Sequence, residues 1–176
     1  PRGLAVRIRH FYDYYYTRVP AFSEGEILQG LTPQLRLEVT DFLQKETIGH
    51  LPLFQSLGAS FQMEVFPRLK PVAAVYKERI VSQGEVAERM YFLMKGEVLV
   101  TIRGSERVLH TKAPGQYFGE SVVLARRRAH TCTANAFCEM YSLDRVDLLW
   151  LFERHPKAAA TMYKQARCRR RRRRRR

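Results

Sequence analysis

With 176 residues the chain has length for one compact core and a smaller helical appendage, not for two large domains. A hydrophobic share of 45% is globular, and apolar runs of only a few residues exclude a membrane-spanning helix from this stretch. The net charge of +14 looks like a nucleic-acid signature until it is located: residues 169 to 176 are eight consecutive arginines, and the remainder carries 23 basic against 17 acidic residues, or +6. That balance suits an acidic small ligand or an anionic membrane face as well as a nucleic acid, so charge does not decide the function. The three cysteines, Cys132, Cys138 and Cys168, lack metal-ligand spacing, so neither a disulfide framework nor a metal site is expected, and a reducing setting is the default. The opening PRGLAVRIRH has no leader pattern, and the chain reads as a piece of something longer.

Taken in order, AVRIRHFYDYYY places apolar and aromatic residues at helical spacing and predicts a helix from Leu4 to about Tyr16. Val19-Pro20 breaks it. Ser23 with Glu26 makes a capping-box pattern for a second short helix to Gly30, and Thr32-Pro33 opens a third with the stripe Leu35, Val39, Phe42 and Leu43. Short helical pieces punctuated by Pro52, Gly58 and Pro67 fill residues 50 to 69. After Pro71 the period changes to two, through Val72, Ala74 and Tyr76, Ile80, Met90 to Leu93, then Val98, Val100 and Ile102, with glycines at 84, 96, 104 and 115. Glycine turns at about ten-residue spacing predict a small antiparallel roll. Strand character returns at His130 to Ala134 and Phe137 to Leu143. Asp144 then caps the helix DRVDLLWLFERH, with Val146, Leu149, Trp150 and Phe152 expected on its buried face, and Pro156 starts a last helix that runs into the arginines. Helices, then strands, then helices make an α+β chain.

The chemistry sits in residues 115 to 143, GQYFGESVVLARRRAHTCTANAFCEMYSL. A glycine lets the backbone approach a ligand, a carboxylate follows at once, and an arginine lies eight residues beyond it. A ribose diol calls for a carboxylate acceptor, and a cyclic phosphodiester calls for a guanidinium and backbone N–H donors. Gly119, Glu120 and Arg128 supply both, across a short turn from Ser121 to Leu124 whose amides add donors for the anion.

FGE followed by an Arg-Ala pair resembles the phosphate-binding cassette of cyclic-nucleotide-binding domains, found in kinase regulatory subunits, catabolite activators and nucleotide-gated channels. SQGEVAERMYFLMKGEV, residues 82 to 98, is similar to that family's glycine-turn-strand segment. The N-terminal third, with PRGLAVRIRHFYDYYYTR, FSEGEILQGLTPQLRLEV and LPLF, resembles the C-linker of pacemaker, nucleotide-gated and related voltage-gated potassium channels. The resemblance implies a helical C-linker over residues 1–50, an antiparallel, jelly-roll-like β-roll with its lid helix over 51–167, and an arginine-rich tail over 168–176, expected to be disordered. It implies that Gly119 and Glu120 meet the ribose, and that Arg128 with the amides of Ser121, Val122 and Ala129 holds the phosphate. Val100 and Leu109 would face the base, and Arg169 falls where pacemaker channels carry a base-contacting arginine. The loop before Arg128 is one residue shorter than in pacemaker channels, which leaves Arg127 as an alternative, although the downstream TCTANAFCEMYSL favours Arg128. Ala129, where members responding to cyclic GMP often carry threonine, leans the ligand toward cyclic AMP over cyclic GMP.

The implied function is cyclic-nucleotide sensing and tetramerisation in the cytoplasmic part of a cation channel, at the inner face of the membrane and without catalysis. Its partners would be the cyclic nucleotide, the channel's own pore domain and three further copies. Two other classes stand beside it: a nucleotide-independent assembly domain and, less favoured, a basic nucleic-acid binder. The arginine tract is an anionic-lipid tether, a low-complexity tail or a sequence artefact. Aromatic residues Phe11, Tyr12, Tyr14, Tyr15 and Tyr16 suit packing between linkers better than base stacking. His130 reads as a strand residue, and the histidines form no ligand set.

Overall fold

The computed structural model describes residues 3–6, 8, 9, 12, 30–48, 51–102 and 107–174. The chain divides into two compact units, Pro1–His50 and Leu51–Arg176. In the first, residues 3–6, 8, 9 and 12 are helical and helix α1 spans Pro33–Ile48. Thr32 starts α1 as its chemistry predicts: its hydroxyl accepts the Leu35 N–H at 3.4 Å and its carbonyl accepts the Arg36 N–H at 2.9 Å. Of the expected apolar stripe of α1, Leu35 and Phe42 are exposed and Val39 is half-buried. The predicted helix at 23–30 lies outside the described residues except for helical Gly30, as do Phe11, Tyr14, Tyr15, Tyr16, His10 and His50; Tyr12 is helical and exposed.

The second unit opens with α2 (Pro52–Gln55), α3 (Ala59–Val65) and a 3-10 turn at Phe66–Arg68. Eight strands follow: β1 (Lys70–Ala74), β2 (Arg79–Val81), β3 (Arg89–Lys95), β4 (Val98–Thr101), β5 (Val108–Lys112), β6 (Tyr117–Phe118), β7 (Thr131–Ala134) and β8 (Cys138–Asp144). Helices α4 (Arg145–Arg154) and α5 (Pro156–Arg174) close the chain. The strands form two antiparallel four-stranded sheets, in the orders β1-β8-β3-β6 and β2-β7-β4-β5. The expected α+β class and antiparallel roll are what the chain adopts.

Between the sheets lie Val81, Leu93, Val98, Val100, Phe118, Cys132, Cys138 and Met140, all buried. Strand β3 is buried on both faces, as its run Met90 to Leu93 suggests. Tyr91 stacks on Phe118 at 5.2 Å on the roll side, while Phe92 meets Phe54 of α2 at 4.7 Å on the other. Successive strand residues point to opposite faces, so one segment joins roll and helices. Cys132 and Cys138 are small buried residues of strands, as expected.

Two expectations at the C-terminal end are corrected. Helix α4 buries Leu148, Leu151 and Phe152, whereas Val146 is 79% exposed and Leu149 and Trp150 lie outward. Its apolar residues surround the helix, so periodicity alone does not select a face, and Trp150 is occupied instead by the guanidinium groups of Arg68 and Arg154, 3.8 and 4.8 Å from its ring centre. Asp144 occupies the N-cap position but makes no capping bond. Its carboxylate is taken by Lys70 Nζ at 2.5 Å and Arg89 Nε at 2.6 Å. The backbone of α5 is helical to Arg174. Arginine is a good helix former, and extending a helix that is already nucleated needs only one further bond per residue.

Candidate functional site

Arg128 carries the site. Its backbone is pinned to the turn between β2 and β3: its N–H donates to the Glu85 carbonyl at 2.8 Å and its carbonyl accepts the Gly84 N–H at 2.9 Å. That turn is itself closed by the Glu85 carboxylate, which accepts the Ser82 N–H at 2.9 Å. The bond from Ser82 holds the Glu85 carboxyl below its ordinary range. Thus the SQGEV segment, a turn in the sequence, positions an arginine more than forty residues away along the chain.

The Arg128 side chain is 6% exposed. Nη1 donates to the Gly119 carbonyl at 2.8 Å and Nη2 to the Arg89 carbonyl at 2.5 Å. Burial pushes the guanidinium below the ordinary arginine range, and Tyr91, Cys132, Glu120 and Glu85 oppose the shift. Gly119 adopts φ of 81°, and a Cβ there would lie 2.7 Å from Arg128 Nη1. Both the left-handed backbone and the guanidinium against it require glycine.

From Gly119 the chain enters a 3-10 turn at Glu120–Val122. The Gly119 carbonyl accepts the Val122 N–H, and the Ser121 carbonyl accepts the N–H groups of Leu124 and Arg126. Ala125 takes φ of 50°, a left-handed position for a residue with a side chain, and this closes the short loop before Arg128. The Glu120 side chain is 7% exposed. Gly119, Glu120, Ser121, Arg128 and Ala129 all line one cavity, with Val81 of β2, Val100 of β4, Phe118 of β6, Cys132 of β7 and His130 just before it; the cavity holds about 20 Å³.

Of the residues singled out in the sequence, the structure brings Gly119, Glu120, Ser121, Arg128, Ala129 and Val100 to this cavity. Val122 lies in the core with its N–H given to the Gly119 carbonyl, so that amide is engaged within the turn. Leu109 does not line the cavity and is 37% exposed on β5. Position 169 lies in the helical backbone of α5, with no description of its side chain. Arg127 points outward and donates to the Gly84 carbonyl at 2.8 Å. The residues missed in the sequence are Val81, Phe118, His130 and Cys132. A period of two continued through the segment after Arg128 would have pointed to His130 and Cys132.

Helix α5 lies beside the cassette. The Tyr117 hydroxyl donates to Gln165 Oε1 at 3.0 Å, and a cleft of about 290 Å³ is lined by Val123 to Arg126 on one side and Tyr163 and Arg167 on the other. At its start, His155 Nε2 lies 3.3 Å from Glu64 Oε2 of α3. Among the described residues no helix is long and apolar enough to cross a membrane, and no cluster of His, Cys, Asp or Glu is placed to hold a metal ion.

Residues 76–155, which contain every residue lining the Arg128 cavity, match the family model of the cyclic nucleotide-binding domain. Residues 76–155 form a domain of that family. A cyclic-nucleotide-binding domain is a regulatory module and not an enzyme. The chain is similar to the potassium/sodium hyperpolarization-activated cyclic nucleotide-gated channel 3 of Homo sapiens, at 33% identity over 145 residues, 82% of this chain and 18% of the channel. Channel 4 of Oryctolagus cuniculus is 30% identical over 158 residues, 89% of this chain and 13% of the channel. Channel 2 of Mus musculus is 28% identical over 157 residues, again 89% of this chain and 18% of the channel. The chain therefore spans less than a fifth of the curated relatives it matches.

Proposed function

We propose that this cyclic-nucleotide-binding domain is the cytoplasmic sensor of a cation channel, and that cyclic AMP in the cavity biases gating. The observation that carries the reading is Arg128: a buried guanidinium set against a left-handed glycine, in one cavity with the Glu120 carboxylate. On binding, Arg128 exchanges its carbonyl partners for the cyclic phosphate, with which it makes stronger, charge-assisted bonds. Glu120 accepts from the ribose hydroxyl, and Val100 contributes apolar contact to the base. Helix α5 then moves from its place beside the cassette to cover the ligand. The first unit, with exposed apolar residues on its helices, assembles four copies and passes the bias to a pore domain, and its setting is the inner face of the membrane. Gating work comes only from tighter binding to one conformation, since equal affinity for both shifts nothing. The cation, potassium or sodium, is proposed from the names of the relatives alone.

Calorimetric titration with cyclic AMP and then cyclic GMP tests the reading. Saturable one-to-one binding is expected, tighter for cyclic AMP, and Arg128→Ala should weaken it about a hundredfold, the worth of a charged hydrogen-bond pair. Equal affinity in Arg128→Ala would remove Arg128 from the site.

A second reading, a nucleotide-independent assembly domain, is favoured by one observation: the cavity has space for a single water, and both Arg128 terminal nitrogens already hold carbonyls. Under that reading neither nucleotide produces heat or raises the unfolding temperature, while sedimentation still reports self-association.

A further inference from the structure

We propose that His130 is a ligand-contacting residue of the cavity, and that its protonated imidazole is a second donor to the cyclic phosphate, so that nucleotide affinity rises as pH falls. The inference rests on the reading of the cavity as the nucleotide site. His130 stands two residues beyond Arg128 and two before Cys132, and all three line the cavity together with Glu120 and Ser121. The intervening Thr131 is engaged elsewhere, its hydroxyl accepting the Gln83 N–H at 3.1 Å. Ala129 and His130 form a bend just before β7, and His130 lines the same cavity as Arg128.

The sign follows from the charges around the ring. A cyclic phosphodiester is an anion across the whole neutral range, and an imidazolium beside it gains a charge-assisted hydrogen bond that the neutral ring lacks. Glu120, from the cassette, favours the charged ring; Arg128, on the same segment, opposes it until the phosphate lies between them. Cys132 on β7 also lines the cavity. Glu85, on the turn between β2 and β3, and Tyr91 on β3 act on Arg128. Binding therefore draws a proton onto His130, and by linkage the proton draws in the ligand. The expected window is that of an ordinary imidazole, at about pH 6.5. A channel carrying this domain would respond more strongly to cyclic nucleotide when the cytoplasm is acid.

The test is calorimetry of the 176-residue chain with cyclic AMP at several values between about pH 8 and about pH 5.5, for the native protein, His130→Gln, His130→Ala and Arg128→Ala. The native affinity should rise about tenfold across that range, and both His130 variants should show a flat profile. A native profile that is flat, or a slope kept by His130→Gln, overturns the inference while leaving the nucleotide site in place. Absence of binding at every pH overturns the site and the inference together. A second readout does not depend on the variants folding: the ring-proton resonance of His130 should titrate at a higher pH once cyclic AMP is added. An unmoved midpoint in the saturated complex overturns the inference.

Discussion

Gly119 shows how one backbone angle can hold a site. With φ of 81° and a virtual Cβ 2.7 Å from Arg128 Nη1 and 3.1 Å from the Arg89 carbonyl, Gly119→Ala meets both torsional strain and a collision. We expect it to lower stability by about 1–3 kcal/mol in thermal or denaturant unfolding, and to weaken nucleotide binding by displacing the guanidinium. Leu109→Ala, at an exposed position away from the cavity, should leave affinity within about twofold in the same titration. Glycine, carboxylate and arginine were legible in the sequence because each has a chemistry few others share. The choice between Arg127 and Arg128 was not legible by residue type, since both are arginines; burial separates them, and burial is set by the bonds that the 82–85 turn makes to Arg128. His130 was read only as a strand residue, although it sits in the bend before β7, because an isolated histidine carries no pattern until its neighbours in space are known.

At the level of elements, the clearest lesson comes from α4. Val146, Leu148, Leu149, Trp150, Leu151 and Phe152 place apolar surface almost all round the helix, and the buried face was decided by what α3 and α5 offered, with Phe152 meeting Tyr163 of α5 at 5.3 Å. The start of α1 was legible because a threonine cap is local chemistry, while Asp144 failed as a cap because two cations from distant strands reach it first. Lys70, then burial in opposition, then Arg89 set the Asp144 carboxyl, with a net lowering. A carboxylate depressed in the fold contributes stability above its unfolded value, lost as pH falls through its folded one. Asp144→Asn should therefore cost about 1 kcal/mol near neutrality, the figure for partly exposed pairs, and the difference from the native protein should shrink as pH falls below the ordinary aspartate range of about 4. Thermal unfolding across pH measures it; an unchanged difference in acid would mean the loss is not electrostatic.

For the molecule as a whole, the order of helices, roll and helices could be read from the change of period, but the pairing of strands could not. β1 pairs with β8 and β2 with β7 across more than fifty residues of chain, and no local pattern encodes such partners. The division into two units implies that the roll and its helices hold their own core. Residues 51–176 alone should unfold cooperatively and bind cyclic AMP within about twofold of the whole chain, while self-association in sedimentation should require residues 1–50. Loss of nucleotide binding in the shorter chain would show that the first unit completes the site.

The water-sized cavity beneath Arg128 has a consequence in time. On the proposed reading, a nucleotide would enter only after two carbonyl bonds to one arginine let go and the walls part, so arrival would be timed by the protein and not by diffusion. Past a certain ligand concentration, uptake stops accelerating. Such a sensor averages over brief nucleotide pulses and answers to the sustained level.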